Sequence, residues 1–159
     1  GEVMGIDSDF GIAFAKAQMA AGQILPDSGT VLMSVTDFDK ESLLPIAKEL
    51  SAMGFNLLAT NGTSSYLQQQ NLAVKTAAKL GEDYPDIIDL IKNRTILMVI
   101  NTSLGKHAKV DAYKIRRQAV ESEIPLMTTI QGAKAAVRAI KSIRAKGIGV
   151  KCLQEYYEV

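Results

Sequence analysis

Apolar runs too short for helices alternate along this chain with longer segments of 3.6-residue period, and that rhythm constrains the fold more than any other feature. Thr30–Val35, Asn56–Thr60 and Thr95–Ile100 have the length and aliphatic continuity of strands buried on both faces. Ala73–Thr76, Pro125–Thr129 and Val150–Leu153 are shorter strand candidates. Between them, Leu43, Ile46, Ala47, Leu50 and Met53 recur at helical spacing as the stripe of an amphipathic helix. Pro45 is comfortable only in a first turn, which starts that helix near Ser42, and Gly54 ends it. Further helices are predicted over Thr63–Gln70, Pro85–Lys92, Lys109–Glu123 and Gln131–Lys146, the last stopped by Gly147. Strand, helix, strand in this order requires parallel pairing through crossovers. The expected class is α/β, a three-layer sandwich around a mainly parallel sheet.

The 159 residues amount to one domain, 47% apolar and 22% charged, which excludes disorder and a disulfide-dense scaffold. Cys152 is the only cysteine and fits a reducing compartment, read as the cytoplasm. His107 is the only histidine, so a multi-histidine zinc site is excluded and no metal is assigned. The longest apolar run, Ile96–Ile100, is far too short to span a membrane. Charge is uneven: residues 1–103 hold 7 basic and 12 acidic side chains, and residues 104–151 hold 11 and 3. A basic half can mark a nucleic-acid surface. Yet Lys134, Arg138 and Lys141 fall opposite Val137, Ile140 and Ile143 on one helical pattern, and only Tyr113 offers a stacking ring. A solvated helix face explains the charge, with neither nucleic acid nor membrane as partner.

Residues 1–29 stand outside the strand–helix rhythm. Asp9–Ala21 reads as a helix and Gly22–Gly29 as a linker punctuated by Pro and Gly. With no methionine at its start, the chain reads as a piece cut from a longer one. The helix and linker suit either a connector from a preceding domain, ahead of a domain at 30–159, or a helix packed on this same domain. Pattern alone leaves both open.

Ligands of open parallel sheets bind beyond the carboxyl ends of the strands. Those ends read Thr36-Asp37-Phe38-Asp39-Lys40, Thr60-Asn61-Gly62-Thr63-Ser64, Asn101-Thr102-Ser103-Leu104-Gly105 and Thr128-Thr129-Ile130-Gln131-Gly132. Hydroxyls, amides and an ammonium are the groups that hold a phosphate. In the second loop Gly62 can take positive φ, and Thr63 and Ser64 open a helix whose free N–H groups favour an anion. The competing role for Thr63 is a plain helix cap. Lys40 could neutralise the same anion. The Walker and dinucleotide glycine patterns are absent.

Catalytic candidates are few. His107 sits in a basic run at an expected helix start, and Glu82, Asp83, Asp86 and Asp89 surround Pro85, where acids complement a helix dipole. Cys152, in the last candidate strand beside Leu153, is expected in the core. No residue is assigned a catalytic role.

Several stretches together resemble a known family. Gly1-Glu2-Val3-Met4-Gly5 with Phe14-Ala15-Lys16-Ala17-Gln18 resembles the exit from the second ATP-grasp unit of the carbamoyl-phosphate synthase large subunit. From Thr30 onward, Ala59-Thr60-Asn61-Gly62-Thr63, Ile100-Asn101-Thr102, Ile115-Arg116-Arg117 and Thr128-Thr129 before Gly132-Ala133 are similar to that subunit's carboxyl-terminal regulatory domain. The resemblance implies a five-stranded, methylglyoxal-synthase-like fold. It implies a non-catalytic fragment of an ATP-dependent ligase that makes carbamoyl phosphate for pyrimidine and arginine synthesis. ATP and Mg2+ or Mn2+ would serve the parent enzyme and no cofactor this fragment. Partners would be the rest of the large subunit, a small glutaminase subunit and further copies in an oligomer.

The resemblance further implies nucleotide effectors, UMP and IMP. Their phosphate and ribose contacts would fall on Lys40, Thr60, Thr63, Lys79, Asn101, Thr102 and Ser103, with Ile87 and Ile115 lining the base. Ser103 replaces a threonine of the enteric pattern and keeps the hydroxyl. Leu126-Met127 replace a tyrosine and an acid there, leaving Thr128 alone on the side where ornithine would bind. The alternative is a methylglyoxal synthase-type lyase acting on dihydroxyacetone phosphate. That branch needs a Gly-Gly-Asp turn, for which Gly81-Glu82-Asp83 is a crude substitute, and an aspartate where Asn101-Thr102 stand.

Overall fold

The computed structural model describes residues 2–78, 80–81, 84–102 and 108–157. Its elements in chain order are α1 (Phe10–Ala20), β1 (Thr30–Ser34), α2 (Lys40–Ala52), β2 (Asn56–Ala59), α3 (Asn61–Gln69), β3 (Lys75–Thr76), α4 (Ile87–Lys92), β4 (Ile96–Asn101), α5 (Ala108–Glu121), β5 (Leu126–Met127) and α6 (Ile130–Lys146). The five strands form one sheet in the order β3-β2-β1-β4-β5, and every pairing is parallel. The sheet is buried on both faces. Val31, Met33, Leu57, Ala59, Met98 and Ile100 pack with α2 and α6, while Leu32, Leu58 and Val99 pack with residues of α4 and α5. The alternating strand residues thus feed two cores, and the α/β sandwich expected from the sequence is the one observed.

The element ends follow local chemistry. Gly54 and Gly147 close α2 and α6 with φ of 86° and 70°, as a left-handed residue after a helix should. Asp86 caps α4 by accepting from the N–H groups of Ile88 and Asp89, while Asp89 accepts from the N–H of Asp86. Burial works against the Asp86 carboxylate, but the N–H groups of Asp89, Gly81 and Ile88 hold its pKa below the ordinary value. The acids around Pro85 that are described therefore act as a capping box; Glu82 and Asp83 lie outside the described residues.

Three expectations need correction. First, α2 starts at Lys40, led in by a 3-10 turn over Asp37–Asp39, so Pro45 is its sixth residue. The interior proline forfeits one i→i−4 bond, to Glu41, an exposed residue. Second, Val150–Leu153 is not a strand. The segment pairs with no neighbour, Val150 is 97% exposed, and a 3-10 turn runs from Leu153 to Tyr156. Third, and in consequence, Cys152 is exposed and not in the core.

Helix α1 packs along α6, with Ala15 in the same core as Val137 and Ile140. Asp9, the N-cap of α1, accepts from Ile12 N and reaches across to Ser142 Oγ (2.8 Å) and Lys146 Nζ (2.7 Å). Behind α1, Arg144 bonds the side chain and carbonyl of Asp27 and the carbonyl of Met53, tying the linker to the end of α2.

Candidate functional site

The strand order reverses beside β1: the chain moves from β1 to β2 and β3 on one side, then crosses to β4 on the other. A crevice outside the carboxyl ends of the two diverging strands is where doubly wound sheets bind ligands. Here those ends are Ser34, which pairs with Asn101 across β1 and β4, and the segments that follow each.

Hydroxyl groups converge on this point. Two successive N–H groups leave β1 in opposite directions, Val35 N donating to Thr63 Oγ1 (3.3 Å) and Thr36 N to Thr102 Oγ1 (3.4 Å). Thr60 Oγ1 donates to Ser34 Oγ at 3.3 Å and lies 3.5 Å from Thr63 Oγ1. Ser64 Oγ lies 2.9 Å from Thr76 Oγ1 at the end of β3. On the far side, Thr102 Oγ1 donates to Asp39 Oδ2 at 2.5 Å. Thr63, Ser64, Asn101 and Thr102 are the buried polar residues among those described. A cluster of buried hydroxyls costs stability unless each is bonded, and the bonds above satisfy them.

The second loop differs from expectation in two respects. Thr60, not Thr63, occupies the N-cap position of α3, and its hydroxyl makes no capping bond. Thr63 is the third helical residue, 1% exposed, and bonds the end of β1. Gly62 lies within the first turn of α3 and is not among the residues with positive φ. What its missing side chain provides is room: a Cβ there would stand 3.6 Å from Lys40 Nζ. The ammonium therefore sits over the start of α3. The N–H groups of Asn61 and Gly62 point out of that turn and have no hydrogen-bond partner among the described residues. Lys40 is mostly buried, and its charge is met at 2.6 Å by Asp37, whose side chain is 90% exposed.

Lys40, Thr60, Thr63, Asn101 and Thr102 are thus brought to one edge of the sheet. Asn101 is fully buried, and Arg116 of α5 holds it, with Nε bonding its Oδ1 and Nη2 its carbonyl, each at 3.2 Å. Ile87 and Ile115 both belong to the core between the sheet, α4 and α5. Thr128 is exposed at the end of β5, next to Thr129, which caps α6 by accepting from Gly132 N. Lys79, Ser103 and His107 lie outside the described residues. Ser34, Thr36, Asp39 and Arg116 also belong to the cluster; Thr36 and Asp39 stand in the first strand-end loop and Arg116 in the Ile115-Arg116-Arg117 motif, but the sequence assigns none of them a role. The sequence pattern carries the first strand on to Val35, so the place of Ser34 at the strand end shows only in the structure. Among the described residues no group of three or more His, Cys, Asp or Glu could hold a metal ion. None of the described helices is long and apolar enough to cross a membrane.

A doubly wound parallel sheet with a hydroxyl-rich, lysine-bearing cluster at its switch point defines the class. Among solved structures, methylglyoxal synthase from Elizabethkingia anophelis superimposes with a TM-score of 0.60, covering 85% of this chain and 93% of that one at 20% identity. That likeness is one of fold. Residues 42–128 match the family model described as MGS-like domain, and the chain belongs to that family. It is 48% identical over 99% of its length to the "Carbamoyl phosphate synthase large chain, C-terminal section" of Methanopyrus kandleri, of which it covers 29%. It is 49% identical over 98% of its length to the carbamoyl phosphate synthase large chain of a Nostoc species, of which it covers 14%. The chain spans less than a third of the length of these relatives.

Proposed function

We propose that this chain is the regulatory part of a carbamoyl-phosphate synthase large chain, holding a nucleoside monophosphate, UMP or IMP, in the crevice at the ends of β1, β2 and β4. The observation that carries the reading is the Lys40 ammonium set over Gly62, beside N–H groups at the first turn of α3 that have no hydrogen-bond partner among the described residues. A cation and a helix start aimed at one point form a seat for a phosphate dianion. Thr60 and Thr63 border that seat, Asn101 and Thr102 serve the ribose side, Ile87 and Ile115 back the base, and the family resemblance adds Lys79 and Ser103. Thr128 marks the side on which ornithine would act. Residues 1–29 lead in from an ATP-grasp unit, and residues 30–159 form the regulatory domain. ATP, its metal and the carbamoyl-phosphate chemistry belong to the rest of the large chain, partnered by a small glutaminase subunit, in a cytoplasmic oligomer serving pyrimidine and arginine synthesis. This part itself makes and breaks no bond.

A melting screen with UMP, IMP and ornithine, run beside incubation with dihydroxyacetone phosphate, tests the reading. The expected outcome is a rise in melting temperature with UMP or IMP, and no methylglyoxal. Turnover of the triose phosphate would replace the regulatory reading with a lyase, and the absence of any nucleotide shift would remove it.

A further inference from the structure

Asp39 occupies the N-cap of α2, where an aspartate ordinarily accepts from the free N–H groups of the first turn, yet it makes no such bond. Its Oδ2 turns instead to Thr36 Oγ1 at 2.9 Å and Thr102 Oγ1 at 2.5 Å. Thr36, at the N-cap of the preceding 3-10 turn, likewise leaves that turn uncapped. Two residues thus forgo local caps to build a cluster at the carboxyl ends of β1 and β4.

The cluster has a defined polarity. A hydroxyl has one proton to donate, and those of Thr36 and Thr102 both go to Asp39. Neither hydroxyl therefore has a proton left to donate to a ligand. Asp39 Oδ1 takes no hydrogen bond among the described residues, and the side chain is half-buried at the rim. The acceptor that the β4 side offers is thus Asp39 Oδ1. One residue along, Lys40 and the start of α3 present donors and positive charge. A ligand complementary to both sides carries an anion at one end and hydroxyl donors at the other.

We propose that Asp39 is a specificity-determining residue that accepts a hydrogen bond from a sugar hydroxyl of a phosphorylated ligand. It repels the phosphate from the β4 side and so orients it toward Lys40 and α3. The proposal rests on the nucleotide reading above and adds the group that distinguishes a ribose from a deoxyribose.

Calorimetry of the 159-residue chain with UMP and its 2′-deoxy and 3′-deoxy forms tests it. A hydroxyl bound to a carboxylate should make at least one deoxy form bind about tenfold or more weakly than UMP. In Asp39→Asn, which keeps an acceptor oxygen and loses the charge, that difference should shrink to about threefold. Equal binding of all three ligands by the parent, a comparison that needs no variant to fold, would overturn the proposal and leave the nucleotide reading standing. An undiminished difference in Asp39→Asn would overturn it too. Where IMP binds and UMP does not, the 2′-deoxy and 3′-deoxy forms of IMP take the place of the uridine series, and absence of binding by both nucleotides would overturn both readings.

Discussion

Thr63 and Lys40 separate binding from folding at the level of single residues. Thr63 is buried, and its hydroxyl is the partner of Val35 N. Thr63→Val keeps the volume and orphans that N–H, so it should cost about 1–3 kcal/mol of stability as well as weakening UMP. Thr63→Ser keeps the oxygen and should restore most of both. Lys40 is paired with a carboxylate that is almost wholly exposed, and such pairs contribute little to stability. Lys40→Met should therefore weaken UMP by about 10- to 100-fold while leaving the melting temperature nearly unchanged. Titration calorimetry and melting curves on the three variants check both statements. These residue types at strand ends were legible as anion ligands, but their local roles were not. A Thr three residues into a helix and a Thr at its cap give the same sequence signal. Only the packing of α3 against β1 shows that Thr60 holds the cap position while Thr63 reaches across the sheet. Asp39 stands in the first strand-end loop, but its role is not legible there, since its partner Thr102 is 63 residues away.

Among the elements, α1 depends on a polar anchor that responds to acid. The pKa of Asp9 is driven well below its ordinary value, chiefly by the Lys146 ammonium, then by Ser142 Oγ and Ile12 N. Asp7 is lowered in the same way, foremost by Lys16. A carboxylate whose folded pKa is depressed stabilises the fold fully above its unfolded pKa, near 3.8. That stability is lost as pH falls toward the folded value. Asp9→Asn should therefore lower the melting temperature at neutral pH, and its difference from the parent should narrow steadily as pH drops below about 4. Melting curves between pH 7 and pH 2 read this directly; a difference independent of pH would remove Asp9 from the anchor. Long periodic elements were the legible ones. β1, β2, β4 and α6 follow from aliphatic runs and a clean stripe, because burial on both faces of a parallel sheet leaves no polar positions to confuse the pattern. Val150–Leu153 has the same apolar look, yet a strand needs a neighbour, and the sheet already ends at β5. A short apolar run does not show which edge, if any, is open to it.

For the whole molecule, the order β3-β2-β1-β4-β5 is what makes the scattered residues one site. Segments near residues 36–40, 60–64 and 101–102 meet because the chain reverses direction beside β1. No local pattern reveals that order, although the alternation of strands and helices restricts it. On the proposed function, this end of the sheet is built for a phosphate ester. The measurement that tests it most directly is calorimetry of UMP against uridine, which differ only in the phosphate. If Lys40 and the first turn of α3 hold a dianion, uridine should bind at least about tenfold more weakly. The gap should also narrow as salt is raised from low to physiological concentration, because the ammonium is incompletely shielded from solvent. Equal affinities for UMP and uridine would contradict the account.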